Sequence, residues 1–239
     1  MIATIAFLVV FVAVVGIIFY LNARQNKAME TIAQKNGWSP VGLDDASLGN
    51  YVPSYLRSKP DSTNHKYRMA YQAQIDGQGI VFFRYEETIR KTNGFNNNDV
   101  TGTSSPEQFH DISYAIGAFG VPRTFGQILI LHHSRLDNAG LHNGLQKFTL
   151  EGDFNQYFDV YAPQGSSIET LSVLTPDVMA YLIDLGQKYH WNIEINGNLV
   201  IVEGDAELIS PDKIVTLLDY SKSLRQKLAA KPNPTALVS

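Results

Sequence analysis

The sequence predicts an α+β fold that follows one N-terminal transmembrane helix, and three observations carry this prediction. Residues Ile2 to Leu21 include no charged side chain. From Tyr67 to Ile75 apolar residues occupy every second position, a pattern typical of a half-buried antiparallel strand. Two later segments, Thr175-Pro176-Asp177 and Ser210-Pro211-Asp212, have a hydroxyl residue before proline and then a carboxylate, which is a helix-start signal.

The N-terminal stretch has the length of a membrane span. Twenty helical residues extend about 30 Å, which matches the hydrocarbon thickness of a bilayer. The segment Leu21-Asn22-Ala23 has leucine where a signal-peptidase site requires a small residue, so we expect the helix to remain attached. Lys and Arg follow the span, at Arg24, Lys27 and Lys35, and none precedes it. The positive-inside rule therefore predicts that residues 2–21 contact the lipid bilayer, with the N-terminus outside and the remainder in the cytoplasm.

The predicted organisation has four parts. Residues 1–22 form the transmembrane helix, and 23–60 form a juxtamembrane helix followed by an irregular connection. Residues 61–231 form the α+β domain, and 232–239 form a disordered tail. About 215 residues after the anchor are enough for a substantial core.

The first half of the domain predicts an antiparallel meander. A tight turn at Asp76-Gly77-Gln78 joins the first strand to a more buried one, in which we expect Phe82, Phe83 and Tyr85 to pack in the core. The further predicted strands are Asp111–Phe119 and Gln127–His133, separated by a Gly120–Gly126 turn, and Lys147–Glu151.

The second half predicts a helix, a β-hairpin and a helix. Phe154 and Phe158 flank a short helical turn before an extended segment. The first helix begins at Thr175-Pro176, and the last begins at Ser210-Pro211. Between them, Asn196-Gly197 is a strong type I′ turn signal and predicts a hairpin of Trp191–Ile195 with Asn198–Glu203.

Composition excludes several classes of function. The chain is 44% hydrophobic and 18% charged with a net charge of −4, as in ordinary globular proteins. No basic cluster indicates nucleic-acid binding. With no cysteine, disulfides, thiolate catalysis and cysteine-ligated metals are excluded.

Candidate chemical groups are few. His132 and His133 lie side by side on a strand and point to opposite faces; one of them, with Asp137 and His142, is the best set for a metal site. The adjacent acids are Asp44-Asp45, Glu86-Glu87, Glu151 with Asp153, and Asp205 with Glu207. Adjacent acids in turns are more often solvated than catalytic, and no phosphate loop or nucleophile elbow is present. The sequence therefore assigns no catalytic, cofactor or metal residue.

One stretch resembles a known family. Phe154-x-x-x-Phe158-x-Val160-Tyr161, followed by Leu174-Thr175-Pro176, is similar to a family of uncharacterised bacterial membrane-anchored proteins with a cytosolic domain of unknown function. Ile32-Ala33 and Gly37-Trp38 also resemble it, over about a third of the chain in all. Members often have two spans, whereas this chain has one. The resemblance implies the bacterial inner membrane and no specific activity.

The favoured function is therefore a non-catalytic protein-binding or scaffolding domain at the cytoplasmic face, with an unidentified protein partner. Two alternatives remain open. One is a tethered hydrolase that uses His132 or His133 with a nearby acid beneath the Thr92–Gln108 loop. The other is a sensor that binds a small ligand in a cleft of the meander.

Overall fold

The structure is a computed structural model that describes residues 2–57, 62–75, 77–91, 108–133, 144–150 and 152–230. Several predicted features lie outside these residues. They are Asp76 of the predicted turn, Asp137, His142, Glu151, the loop residues 92–107, and the C-terminal tail.

Helices and antiparallel strands both contribute, which agrees with the α+β class. The helices are α1 (Ile2–Lys35), α2 (Asp45–Leu48), α3 (Ser54–Arg57), α4 (Ser167–Val173), α5 (Pro176–Tyr189) and α6 (Ile214–Ala229). Short 3-10 helices cover Gly49–Tyr51, Phe154–Gln156 and Ala206–Leu208. The strands are β1 (Ser39–Pro40), β2 (Ser62–Ile75), β3 (Gln78–Lys91), β4 (Gln108–His132), β5 (Leu145–Phe148), β6 (Phe158–Pro163) and β7 (Asn192–Asp205).

The strands form one sheet around β4. Its order is β1-β2-β3-β4-β6-β5, and β7 also pairs with β4. The first half of β4 lies between β3 and the end of β7, whereas its second half lies between β6 and the start of β7. The β2–β3 hairpin is confirmed, since Ile75 pairs with Gln78 and Gly77 has a φ of 73°.

Two predicted turns are wrong because they are bends within long strands. β4 is continuous through Gly120–Gly126, and β7 is continuous through Asn196-Gly197. Along these paired strands, Gly120 faces Leu199 and Phe125 faces Gly197, so β4 inserts extra residues where β7 bends. Gly197 adopts a φ of 62° and supplies the bend without reversing the chain. The predicted helix–hairpin–helix is therefore a helix, a strand and a helix.

The predicted transmembrane helix is also wrong. Within the described part of the chain, no helix combines the length and the apolar character that crossing a membrane requires. The uncharged stretch is the first part of α1, which continues unbroken through Arg24 and Glu30 to Lys35. Phe7 is 73% exposed, whereas Met29, near the other end, is buried in the main core.

The predictions that depended on this span are also wrong. Bilayer contact through residues 2–21, the single-pass arrangement with the N-terminus outside, and the inner-membrane location are not supported. Helix α1 ends beside a glycine. It stops at Lys35, and Gly37, with a φ of 68°, follows as a left-handed terminator.

Helix starts were predicted with mixed success. α5 begins at Pro176, as predicted. α6 begins at Ile214 rather than beside Pro211, because Ser210 starts a separate turn: its carbonyl accepts hydrogen bonds from the N–H groups of Lys213 and Ile214.

The sheet carries an apolar core on each face. The main core contains the end of α1, helices α5 and α6, and Trp191. The second core lies under the segment 41–57 and includes Leu48, Tyr55 and Phe83. Phe82 belongs to the main core, and Phe83 and Tyr85 belong to the second, so the predicted core role of all three is confirmed.

Candidate functional site

The outer edge of β2 is largely open. β1 covers it only where Ser39 pairs with Gln72 and Pro40 pairs with Tyr71, and the Val41 N–H donates a 3.0 Å hydrogen bond to the Ala70 carbonyl. Among the described strands, none pairs with this edge from residue 64 to residue 69. An uncovered strand edge presents backbone donors and acceptors that another chain can pair with.

A β-bulge lies where the open part of the edge begins. Arg68 pairs with Arg84, but the next registered pair is Tyr71 with Phe82, so β2 contains one extra residue. Met69, in between, has a φ of 50°, a conformation that side chains other than glycine seldom adopt. The bulge turns the strand and places Tyr67 in contact with the second core, while Met69 and Tyr71 pack on the main one.

Two adjoining clefts follow this edge. The first, of about 470 Å³, lies between residues 43–45 and residues 65–68. The second, of about 300 Å³, is lined by α1, by residues 40–43 and by residues 67–71. Leu43, Tyr67 and Arg68 line both clefts. We call the combined feature the edge groove; its lining includes Glu30, Leu43, Asp45 and β2 residues 65–71.

A hydrogen-bonded cluster fixes one wall of the edge groove. His65 Nε2 lies 3.0 and 2.9 Å from the two carboxylate oxygens of Asp45, and the Tyr67 hydroxyl donates to the same carboxylate. The bond from Tyr67 and the bond from His65 lower the pKa of Asp45, so this carboxyl stays ionised and remains an acceptor. Burial and the bond to Asp45 raise the pKa of Tyr67.

Buried carboxylates hold the same wall from below. The Ser54 N–H donates to Glu194 Oε2 at 2.6 Å, and the Tyr55 hydroxyl donates to Glu203 Oε2 at 2.6 Å. Asn192 Nδ2 also donates to Glu203 Oε2, at 2.6 Å. Glu194 and Glu203 are each 1% exposed, and the loss of a hydrogen bond to a buried polar group is costly. The segment 41–57 is therefore fixed to the sheet at several points.

The groove also presents side chains that are available for contact. Leu43 is 56% exposed although it is large and apolar. Arg68 forms an ion pair with Glu86 through a 2.7 Å contact between Nε and Oε2. Lys66 is exposed, and the described residues give it no hydrogen bond or ion pair.

The predicted histidines separate as expected for neighbours on a strand. His132 is buried, and its ring packs on Phe158 at 5.2 Å and on His190 at 4.9 Å between centroids. His133 Nε2 lies 3.0 Å from Asp159 Oδ1. Within the described ranges, no three such side chains have a metal-binding arrangement.

The His133–Asp159 pair includes a third member. Lys147 Nζ lies 2.7 Å from the same Asp159 oxygen that His133 contacts. Burial of Asp159 opposes its ionisation, but the contacts from Lys147 and His133 outweigh burial and lower the pKa of this carboxyl. The Asp159 carboxylate is therefore shared by His133 and Lys147, and this arrangement is typical of an ion pair with a structural role.

The other predicted acids within the described residues also have partners. Asp44 caps α2 by accepting from the Ser47 N–H at 2.9 Å, and Glu87 accepts from the Tyr114 hydroxyl at 2.9 Å. Sequence reasoning missed His65, Glu194 and Glu203. His65 stands two residues before Tyr67 on the same face of β2, so period-two alternation was the available signal. Nothing in the local pattern of β7 marks its two glutamates as buried.

Comparison with known proteins supports the fold alone. No family model matches the chain, and no curated protein matches it. A solved structure with a similar fold is the crystal structure of the mycobacterial trehalose monomycolate transport factor A, TtfA. The TM-score is 0.57 at 10% identity, and the match covers 87% of this chain and 96% of that one.

Proposed function

We propose that this chain is a non-catalytic accessory protein that binds another protein in the edge groove. The observation that carries the proposal is the open edge of β2 with two clefts beside it, walled by a segment that buried hydrogen bonds hold in place. A fixed wall lowers the conformational entropy lost when a partner binds, which favours recognition.

The similar fold gives secondary support to an accessory role. TtfA is named a transport factor, and the structural match covers 96% of the TtfA chain. At 10% identity, no substrate or partner of TtfA is assigned to this chain. We therefore propose an accessory function without naming what is transported or assembled, and the sequence resemblance to an uncharacterised bacterial family remains compatible with it.

Photo-crosslinking tests the location of the contact. A photoreactive amino acid replaces Leu43 in the full chain expressed in its own cells, and crosslinked species are identified by mass spectrometry. Leu171 on α4 is the matched control, since it is the same residue type and is 55% exposed against 56% for Leu43. We expect a defined partner at position 43 that is absent at position 171. Equal crosslinking at both positions, or none at position 43, contradicts the proposal.

A hydrolase is the second candidate, because two histidine–carboxylate pairs exist. His133 contacts Asp159, and His65 contacts Asp45 in the larger cleft. Both carboxylates are already shared, with Lys147 and Tyr67 respectively. Turnover of a generic ester or phosphoester by the purified chain that His133→Ala or His65→Ala abolishes, without loss of folding, would favour this candidate over protein binding.

A further inference from the structure

We infer that the partner contributes an extended strand that pairs with residues 64–69 of β2 and carries an acidic side chain facing Lys66. This inference rests on the proposed function and specifies its binding mode. Strand addition to an open edge gives affinity through main-chain hydrogen bonds, while side-chain contacts give specificity.

The backbone supports strand addition at this position. β1 already adds to the same edge of β2, but only at two registered residues before the chain leaves after Val41. The edge beyond it continues for several residues without a strand among those described. A short incoming strand would extend the row that β1 begins, and the clefts beside the edge leave space for its side chains.

Charge argues against a second copy of this chain as the occupant. A symmetric dimer centred on the open edge, with its two-fold axis near residue 67, would bring Lys66 of each copy beside Arg68 of the other. Like charges across paired strands are destabilising, and edge lysines are a common means of preventing self-association. The occupant is therefore a different polypeptide.

The charges on β2 that already have a partner indicate which charge the incoming strand carries. Lys66 and Arg68 stand two positions apart and lie on one face of β2. Lys66 lies opposite Glu86 in the register with β3, but the ion pair of Glu86 is with Arg68, and the described residues give Lys66 none, so Lys66 is a cation available to an incoming strand. Asp45 is held by His65 and Tyr67, so it competes little for Lys66. Opposite charges on paired strands attract, so we assign a carboxylate to the partner.

Selection from a random dodecapeptide library displayed on phage, against the full chain, supplies the probe. We expect the selected peptides to share an aspartate or glutamate. We also expect them to protect the amides of residues 64–69 from hydrogen exchange. Methylation of successive peptide nitrogens should weaken binding at alternate positions, because a strand directs only every second N–H to its neighbour.

Charge reversal tests the pairing with Lys66. Lys66→Glu should weaken binding of an acidic peptide by about fivefold, the upper range for a cross-strand pair. A peptide in which the acidic residue is replaced by lysine should bind the Lys66→Glu variant as the acidic peptide binds the wild type. Lys188→Glu is the control, since Lys188 lies on α5, away from β2, and has the same charge change.

The outcomes separate this inference from the proposed function. Three results would overturn strand addition opposite Lys66. The selected peptides protect another surface, they lack an acidic residue, or they bind the Lys66→Glu variant with the same affinity as the wild type. Failure to select any peptide, together with specific crosslinking at Leu43, also overturns it while the proposed function stands. Failure of both experiments rejects both.

Discussion

Single buried charges decide local stability in this domain, and Asp159 is the clearest case. Its carboxylate is 7% exposed and accepts contacts from His133 and Lys147. Asp159→Asn keeps the shape but removes the charge. We expect the free energy of unfolding at pH 7 to fall by about 2 kcal/mol, the range for a hydrogen bond to a charged group. Chemical denaturation of the two proteins measures this difference.

The same substitution has a defined pH dependence. Because the pKa of Asp159 is lowered in the folded state, its stabilisation is present above the unfolded pKa and is lost as the pH falls through the folded pKa. The difference between wild type and Asp159→Asn should therefore shrink below about pH 4. A constant difference across that range would show that the charge is not responsible.

Glycine positions test the packing around Trp191. A Cβ at Gly204 would lie 2.5 Å from a ring carbon of Trp191, which is fully buried and has no room to move. Gly204→Ala should lower the free energy of unfolding by about 1–3 kcal/mol, as overpacking does. Gly120→Ala is the control, because its nearest neighbour would be 3.9 Å away. Thermal unfolding of both variants distinguishes them, and equal losses would refute the predicted clash.

At the scale of elements, the segment 41–57 is the wall on which the edge groove depends. Tyr55→Phe removes the hydroxyl that donates to Glu203, and we expect a loss of about 2 kcal/mol in unfolding free energy. Amide exchange in the segment should accelerate as well. Tyr51→Phe is the control, since the described residues give the Tyr51 hydroxyl no hydrogen bond. Unchanged exchange in Tyr55→Phe would mean that the wall is held elsewhere.

The bend in β7 gives a second prediction at this scale. Gly197 has a φ of 62°, and alanine is strained there, so Gly197→Ala should cost about 1 kcal/mol or more. Asn198→Ala, at an exposed neighbouring position, should cost little. Denaturant titration of both variants tests whether the bend requires this backbone conformation; equal stability of the two would contradict it.

Sequence patterns identified these elements better than they identified bends. The β2–β3 hairpin and the start of α5 follow from period-two alternation and from Pro176. Asn196-Gly197 has the residues of a hairpin turn, but tertiary pairing with β4 keeps β7 in one strand. The alternation in β2 also predicts one apolar face from Tyr67 to Ile75, whereas the bulge at Met69 transfers Tyr67 to the opposite face. A local pattern does not contain the pairing that forces either feature.

For the molecule as a whole, different elements cover the two faces of the sheet. Helices α5 and α6 cover one face and complete the main core, and the segment 41–57 covers the other and borders the edge groove. The α+β class was predictable from the sequence. The groove was not, because it is formed by α1, the segment after β1 and β2, which come together only in the folded chain.

The apolar N-terminal segment is a second feature of the whole molecule that the sequence alone did not predict correctly. Its composition predicted a membrane span, whereas no helix among the described residues is long and apolar enough to cross a membrane, and Met29 near the end of the same helix packs in the main core. The buried glutamates of β7 were equally hidden, since Glu194 alternates with apolar neighbours as an exposed residue would. Their contacts come from distant segments, since Ser54 and Tyr55 of α3 donate to Glu194 and Glu203, and Gln127 of β4 also donates to Glu194.

The affinity of the partner captured at Leu43 for two matched variants tests the central claim most directly. Leu43→Asp places a charge in the edge groove, and Leu171→Asp places the same charge on α4. If the groove binds the partner, Leu43→Asp should weaken binding roughly tenfold or more in calorimetric titration, since a buried leucine contributes about 1.5–3 kcal/mol. Leu171→Asp should bind like the wild type. Equal affinity of both variants would contradict protein binding at this groove.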